Sequence, residues 1–277
     1  MSHAPTTHVT LIRPSKGWAS LGLRDLWEYR ELLHFLIWRE IKSRYRQMAL
    51  GPLWVLIIPL VNMLIFTLVG GAAGIPTGGA PRPVFVYSGL VLWQLFAEAA
   101  RKAATSLVTQ LPVITKVYFP RLLVPLSASL VGVADFVVAL AALVALMAFY
   151  GVAPGAPVLA LPVCAGLALA SALGVGLWLA AVAVRFRDVA YGVNFLLQAW
   201  FFCSPVFYPA SIIQGPWRPF YLLNPMTHAI EGFRWSLGLG GQAPGPGLAL
   251  ACAGALVLIL TGAWVFRRAE RTVVDYV

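Results

Sequence analysis

The chain has 277 residues and 29.9 kDa, of which 60% are hydrophobic and only 11% charged, with a mean hydropathy of +0.81. An ordinary soluble domain is about 25% charged, so lipid must serve as part of the solvent. That excludes a cytosolic enzyme, a secreted disulfide scaffold and a disordered protein, and the length fits one membrane domain.

The first apolar run begins only after about 50 mostly polar residues, which argues against a cleaved signal peptide. Residues 1–52 read as a cytoplasmic leader. Within it, Asp25 to Met48 carries Ile37, Trp38, Ile41, Tyr45 and Met48 on one helical face. Arg39, Lys42 and Arg46 fall on another. Aromatics opposite cations describe a helix lying in the membrane interface, its cations toward the anionic inner leaflet. Simple anchoring and the reception of a cytosolic partner both fit. Gly51-Pro52 then turns the chain into the bilayer.

A crossing helix needs about 20 apolar residues, and six candidates follow, at about 53–73, 84–100, 122–150, 158–184, 190–208 and 247–266. The second is the shortest in apolar content, from Val84 to Ala97. Glu98 and Arg101, three apart at its end, read as a surface pair. The third is interrupted in charge only by Asp135. A carboxylate at bilayer depth costs about 2.5–3.5 kcal/mol on insertion scales. Asp135 therefore lines a polar path or sits in a structural pair, for instance with a basic residue near the inner surface. The fourth carries Gly166, Ala170 and Gly174 at four-residue spacing, a packing stripe. The fifth ends in a dense aromatic run, Trp200, Phe201, Phe202, Phe207 and Tyr208. Such rings suit the apolar faces of sugars, or form a lipid-facing belt. Cys164, Cys203 and Cys252 all lie in apolar runs and read as small core hydrophobes.

Trp217 to Leu239 carries Arg218, His228, Glu231, Arg234 and an Asn224-Pro225 break. The residue before proline is pushed out of the helical region. Two short helices on either side of that turn, dipping into the outer interface without crossing, are expected. A plain outer loop is the alternative.

The net charge of +10 follows the spans, which explains it without nucleic acid. Seventeen of the 20 Lys and Arg fall on the side holding both termini, and only Arg82, Arg218 and Arg234 on the other. The termini are therefore expected in the cytoplasm. No G-x-x-x-x-G-K-[ST] occurs, and none of the four lysines follows a glycine, so this chain has no P-loop. It also has no H-E-x-x-H, C-x-x-C, G-x-S-x-G or D-x-D. Enzyme function and a metal site are not expected, which leaves a pore or carrier driven by another chain.

Several stretches resemble the membrane subunit of bacterial ABC-2 polysaccharide exporters, the group that moves O-antigen, capsule and teichoic acid. They are WREIKSRYRQ (Trp38–Gln47) with LGPLW (Leu50–Trp54), ITKVYFPR (Ile114–Arg121), VRFRDV (Val184–Val189), SPVFYP (Ser204–Pro209) and NPMTHAIEGFRW (Asn224–Trp235). They occur in the family's order over about residues 25–270. The Gly/Pro-rich first outer loop, Pro76 to Pro83, departs from the pattern.

The resemblance implies an all-α integral membrane protein. It would have an amphipathic leader, six spans (residues 53–277) and two short re-entrant outer helices. It implies a multi-pass protein of the bacterial cytoplasmic membrane that works as a homodimer with two copies of a separate ABC ATPase. ATP and Mg would bind in that partner, and none in this chain. Arg39, Lys42 and Arg46 of the leader, with Lys116 and Tyr118 of the loop after the second span, resemble the ATPase-coupling contacts. Trp217, Asn224, Pro225, Glu231 and Arg234 resemble an outer gate. Lipid-linked polysaccharide is the implied cargo, with Asp135, Trp200, Phe201 and Tyr208 expected near its path. An ABC-2 exporter of a small molecule is the main alternative. A membrane enzyme acting on lipid-linked sugars is the second.

Overall fold

The computed structural model describes residues 23–46, 53–110, 119–186 and 188–270. Every regular element among them is helical. The leader is α1 (Leu23–Glu28) and α2 (Arg30–Tyr45). The long helices are α3 (Leu53–Ala72), α4 (Arg82–Thr109), α5 (Leu123–Phe149) and α6 (Leu161–Ala183, preceded by a 3-10 turn at Ala156–Ala160). Then come α7 (Val189–Phe202), the short α8 (Arg218–Leu222), α9 (Pro225–Ser236) and α10 (Pro246–Glu270).

Five of these, α3, α4, α5, α6 with its lead-in turn, and α10, are long and apolar enough to cross a bilayer. The expected span at 190–208 is different. Its helix has 14 residues, which at 1.5 Å per residue gives about 21 Å, short of the ~30 Å hydrocarbon core. Pro205 and Pro209 explain the early stop: neither supplies an N–H, and each pushes its predecessor out of the helical region.

α4 corrects a second expectation. It does not end near residue 100 but runs to Thr109, carrying Arg101 and Lys102 inside the helix rather than in a loop. The alanine-rich AARKAA segment favours that continuation. α4 is the axis of the fold. It packs against α5, α6 and α9, while α10 packs against α6 and α3 lies on its outer flank. The close approaches need small residues. A Cβ at Gly174 of α6 would lie 2.7 Å from the Leu258 Cβ of α10, and one at Gly262 would lie 2.8 Å from the Gly174 carbonyl. Gly166, expected in the same stripe, has open space around it. Of the three cysteines, Cys164 is buried while Cys203 and Cys252 are exposed, so only the first is a core residue.

The leader carries two apolar stripes, not one. Leu26, Tyr29, Leu32 and Leu33 pack on a cluster formed by Phe119, Leu123, Leu177 and Phe266, and Leu36 is buried as well. Phe35 and Trp38 point away and are exposed. Met48 and Gln47 lie outside the described residues. α2 packs along α5 and reaches α4 through side chains. Arg39 donates to the Gln110 side chain at the end of α4 (3.1 Å). Arg44, five residues on, reaches Glu98, twelve residues back along α4.

Candidate functional site: an amide- and aromatic-lined cavity

A cavity of about 410 Å³ lies between α3, α4 and α7, with Arg44 at its edge. Three kinds of side chain line it. Phe66, Trp93 and Phe201 make an aromatic wall. Asn62, Gln94 and Gln198 contribute one carboxamide from each helix. Arg44, Glu98 and Arg101 make a charged floor.

The floor is a network. Arg44 bridges Asp135 of α5 (2.5 Å) and Glu98 of α4 (3.3 Å). Glu98 also pairs with Arg101 (3.0 Å) and lies 3.9 Å from Lys102, which is 3.9 Å from Glu40 of the leader. Among the described residues, three cations thus face three carboxylates. At membrane depth this is how charge is tolerated, because each ion supplies the counter-field that water would have given. Asp135 is accordingly in a structural ion pair with a basic residue of the leader, and it lies behind Arg44 rather than on the cavity wall. Glu98 and Arg101 belong to the same network, not to an isolated surface pair.

The aromatic run divides. Phe201 is 8% exposed and is the hub of a ring cluster with Phe66, Trp93, Phe202 and Phe207 at centroid distances of 5.2–5.9 Å. Phe66 and Phe207 stack at 4.7 Å. Trp200 turns the other way. Its indole N–H donates to Asn224 Oδ1 (3.1 Å) and its ring meets Phe96 edge-on. Tyr208 donates to the Phe202 carbonyl (2.9 Å) and accepts from the Tyr221 hydroxyl (3.4 Å). Burial pushes the Tyr221 hydroxyl up, so it stays protonated as that donor. Of the four expected path residues, only Phe201 lines the cavity.

At the end of the bundle away from the leader, Asn224 and Pro225 open α9 as expected. Asn224 Oδ1 accepts from the Met226 N–H (3.0 Å), and its amide donates to Ser204 Oγ (2.9 Å) and the Cys203 carbonyl (3.2 Å). One side chain thereby caps α9 and fixes the chain leaving α7. Proline at the first helical position costs no hydrogen bond. Trp217 is 72% exposed.

Arg234 is fully buried, with its guanidinium 3.6 Å from the Phe85 ring centroid. It donates to the carbonyls of Val206 (2.6 Å), Phe85 and Tyr208 (both 3.3 Å) and lies 3.5 Å from Glu231. Burial pulls it down to about 10, still protonated at neutral pH. Glu231 accepts from the Ala210 and Gln242 N–H groups (3.1 and 3.3 Å). Gly89 permits this insertion, because a Cβ there would collide with the Val206 carbonyl. The pair staples the non-helical segment after α7 to the start of α4 and to α9.

Among the expected coupling residues, Arg39 is engaged by Gln110, while Lys42 and Arg46 are exposed. Lys116 and Tyr118 lie outside the described residues. Among those described, no group of three His, Cys, Asp or Glu could hold a metal ion.

Sequence reasoning missed Asn62, Gln94 and Gln198. Each is an uncharged polar residue inside an apolar span, a signal that a search for charges alone passes over. Asn62 sits between Val61 and Met63, Gln94 between Trp93 and Leu95, and Gln198 between Leu197 and Ala199.

A family profile described as "ABC-2 type transporter" matches residues 31–237. The chain is 34% identical over 217 residues to a protein of Myxococcus xanthus named "O-antigen export system permease protein RfbA", covering 76% of this chain and 82% of the relative. Two Klebsiella pneumoniae proteins of the same name are 26% and 25% identical over 208 residues, covering 74% of this chain and 79% of each relative.

Proposed function

The chain belongs to the ABC-2 type transporter family, and we propose on that premise that it is the transmembrane subunit of an ATP-driven exporter of lipid-linked polysaccharide, O-antigen or capsule-like. The observation that carries this reading is the match to O-antigen export permeases across three quarters of the chain. The cavity supports it: an aromatic and amide lining suits a sugar polymer better than it suits a purely apolar cargo.

In this reading two copies pack side by side in the bacterial cytoplasmic membrane with both termini in the cytoplasm. Each makes six passes, α7 completing its pass through the non-helical chain up to Pro209. The lipid-linked chain enters from the cytoplasmic leaflet. A separate ABC ATPase, two copies per exporter, docks on the leader and on the loop after α4, with Lys42, Arg46, Lys116 and Tyr118 at the contact. ATP binding favours one arrangement of the spans by its differential binding energy. The segment from Ala210 to Leu237 gates the exit. Trp217 is its exposed rim, and Asn224, Pro225, Glu231 and Arg234 are its anchors.

A gene deletion followed by fractionation of lipid-linked glycan tests this. Polymer should accumulate inside and vanish from the surface. Unchanged surface glycan in a strain with no second exporter would overturn the polysaccharide cargo and favour a small molecule.

A further inference from the structure

We infer that Asn62, Gln94 and Gln198, with Trp93 and Phe66, form a subsite for an uncharged sugar unit, so that the exporter handles a neutral rather than an acidic glycan. The inference rests on the polysaccharide reading and specifies what the cavity recognises.

The first ground is an imbalance of hydrogen bonds. Each carboxamide offers two donors and an acceptor. Elsewhere in the described residues, several polar side chains are satisfied within the chain, although the Thr67 and Tyr87 hydroxyls are not. Ser88, Ser127, Ser129 and Ser171 bond back to their own helices. Trp178 meets Thr261, and the Asn224 side chain makes four bonds. Asn62, Gln94 and Gln198 make none among the described residues, although they come from three different helices and line one cavity. Asn62 and Gln94 are half-buried and Gln198 is exposed in the single chain, so all three amides stand open toward the cavity. Three open amides from three helices converging on one cavity offer donors and acceptors that a polar ligand can use.

The second ground is shape and chemistry. Sugar hydroxyls both donate and accept, which matches carboxamides. The opposite face of the ring presents C–H groups, which matches the aromatic wall of Trp93 and Phe66. A cavity of about 410 Å³ lies within the usual range for small-molecule sites.

The third ground is charge. A carboxylate- or phosphate-bearing repeat would need a cation to spare. Both cations on the cavity wall are engaged, Arg44 by Asp135 and Glu98, Arg101 by Glu98. An anionic unit would have to displace a carboxylate already in place, whereas a neutral unit meets only the free amides. Uncharged, individually weak contacts also let a polymer move on, which a tight ionic grip would not.

The test uses the deletion strain complemented with full-length variants. Asn62→Leu, Gln94→Leu and Gln198→Leu singly should each lower surface glycan per copy of the chain about two- to threefold, and the triple variant at least tenfold. Membrane abundance and co-purification with the ATPase should persist, since leucine is at home in a span. Gln94→Glu, nearly isosteric, should lower export at least as far as Gln94→Leu. The sugar composition of the glycan that accumulates on deletion should be neutral. If deletion leaves surface glycan intact, the polysaccharide reading itself has failed. If deletion abolishes export but the triple variant and Gln94→Glu export normally, the amides serve only a water-filled wall and the subsite is overturned. If the accumulated repeat carries uronic acid or phosphate, the neutral selectivity is overturned.

Discussion

α3 and α4 pack against each other, yet 83% of the most apolar window of α4 is buried inside the protein and only 11% of that of α3. Mean hydropathy runs in the opposite order, 1.3 for α4 and 2.4 for α3. In water the more apolar helix would be the buried one. Here lipid is as apolar as leucine, so the interior is selected by packing and by polar contacts instead. α4 therefore carries what lipid will not accept: Gly89 beneath Arg234, and Glu98, Arg101 and Lys102 in the ion network. α3 presents Val61, Leu64, Leu68 and Val69 outward. It turns Asn62 and Phe66 toward the cavity.

The comparison breaks most severely if the polar staple on the α4 side is removed. Arg234→Leu deletes a fully buried cation, leaves Glu231 without it and frees the carbonyls of Val206 and Phe85. A loss of about 3–5 kcal/mol is expected, the range for breaking a buried ion pair by removing one partner. Arg234→Lys should recover only part, because an ammonium cannot reach three carbonyls while lying on the Phe85 ring. Denaturation of the purified protein in mixed micelles measures both.

A core substitution on α4 comes next. Leu92 is fully buried, so Leu92→Ala should cost about 2 kcal/mol or more through the cavity it leaves. The same denaturation assay reads it. An effect below half that size would mean that α4 is not the packed axis.

The contrast between the two helices also sets how much was legible in the sequence. Length and hydropathy locate α3, α5, α6 and α10 within a few residues, because a long uncharged run has one cheap arrangement in lipid. They fail at the end of α4, where Glu98, Arg101 and Lys102 look like the start of a loop until Arg44 and Asp135 are brought beside them from helices remote in sequence. They fail again at α7, where a 19-residue apolar stretch holds only a 14-residue helix. Asp135 was readable as either path or pair, and only its neighbour Arg44 decides for the pair. Trp200, Phe201 and Tyr208 form one cluster in sequence, but the helix turns Trp200 and Phe201 apart and Tyr208 lies beyond its end, so a shared composition says nothing of a shared direction. The Asn224-Pro225 break was legible because its physics is local: a cap and a proline act within one turn.

The smallest expected effect lies on α3. Leu68 is 65% exposed in the single chain, so Leu68→Ala should change its unfolding free energy by less than about 0.5 kcal/mol, as for surface positions generally. The informative quantity is where any larger change shows. If lipid covers this face, neither the single chain nor the assembly responds. If a second copy covers it, the single chain stays unchanged while the assembled fraction falls at a given protein-to-detergent ratio, because truncation removes packing from the contact between copies. Leu92→Ala should show the reverse pattern, weakening the chain itself and leaving the ratio dependence alone. Measured together, the two leucines separate a helix that is buried by its own chain from one that waits for a partner.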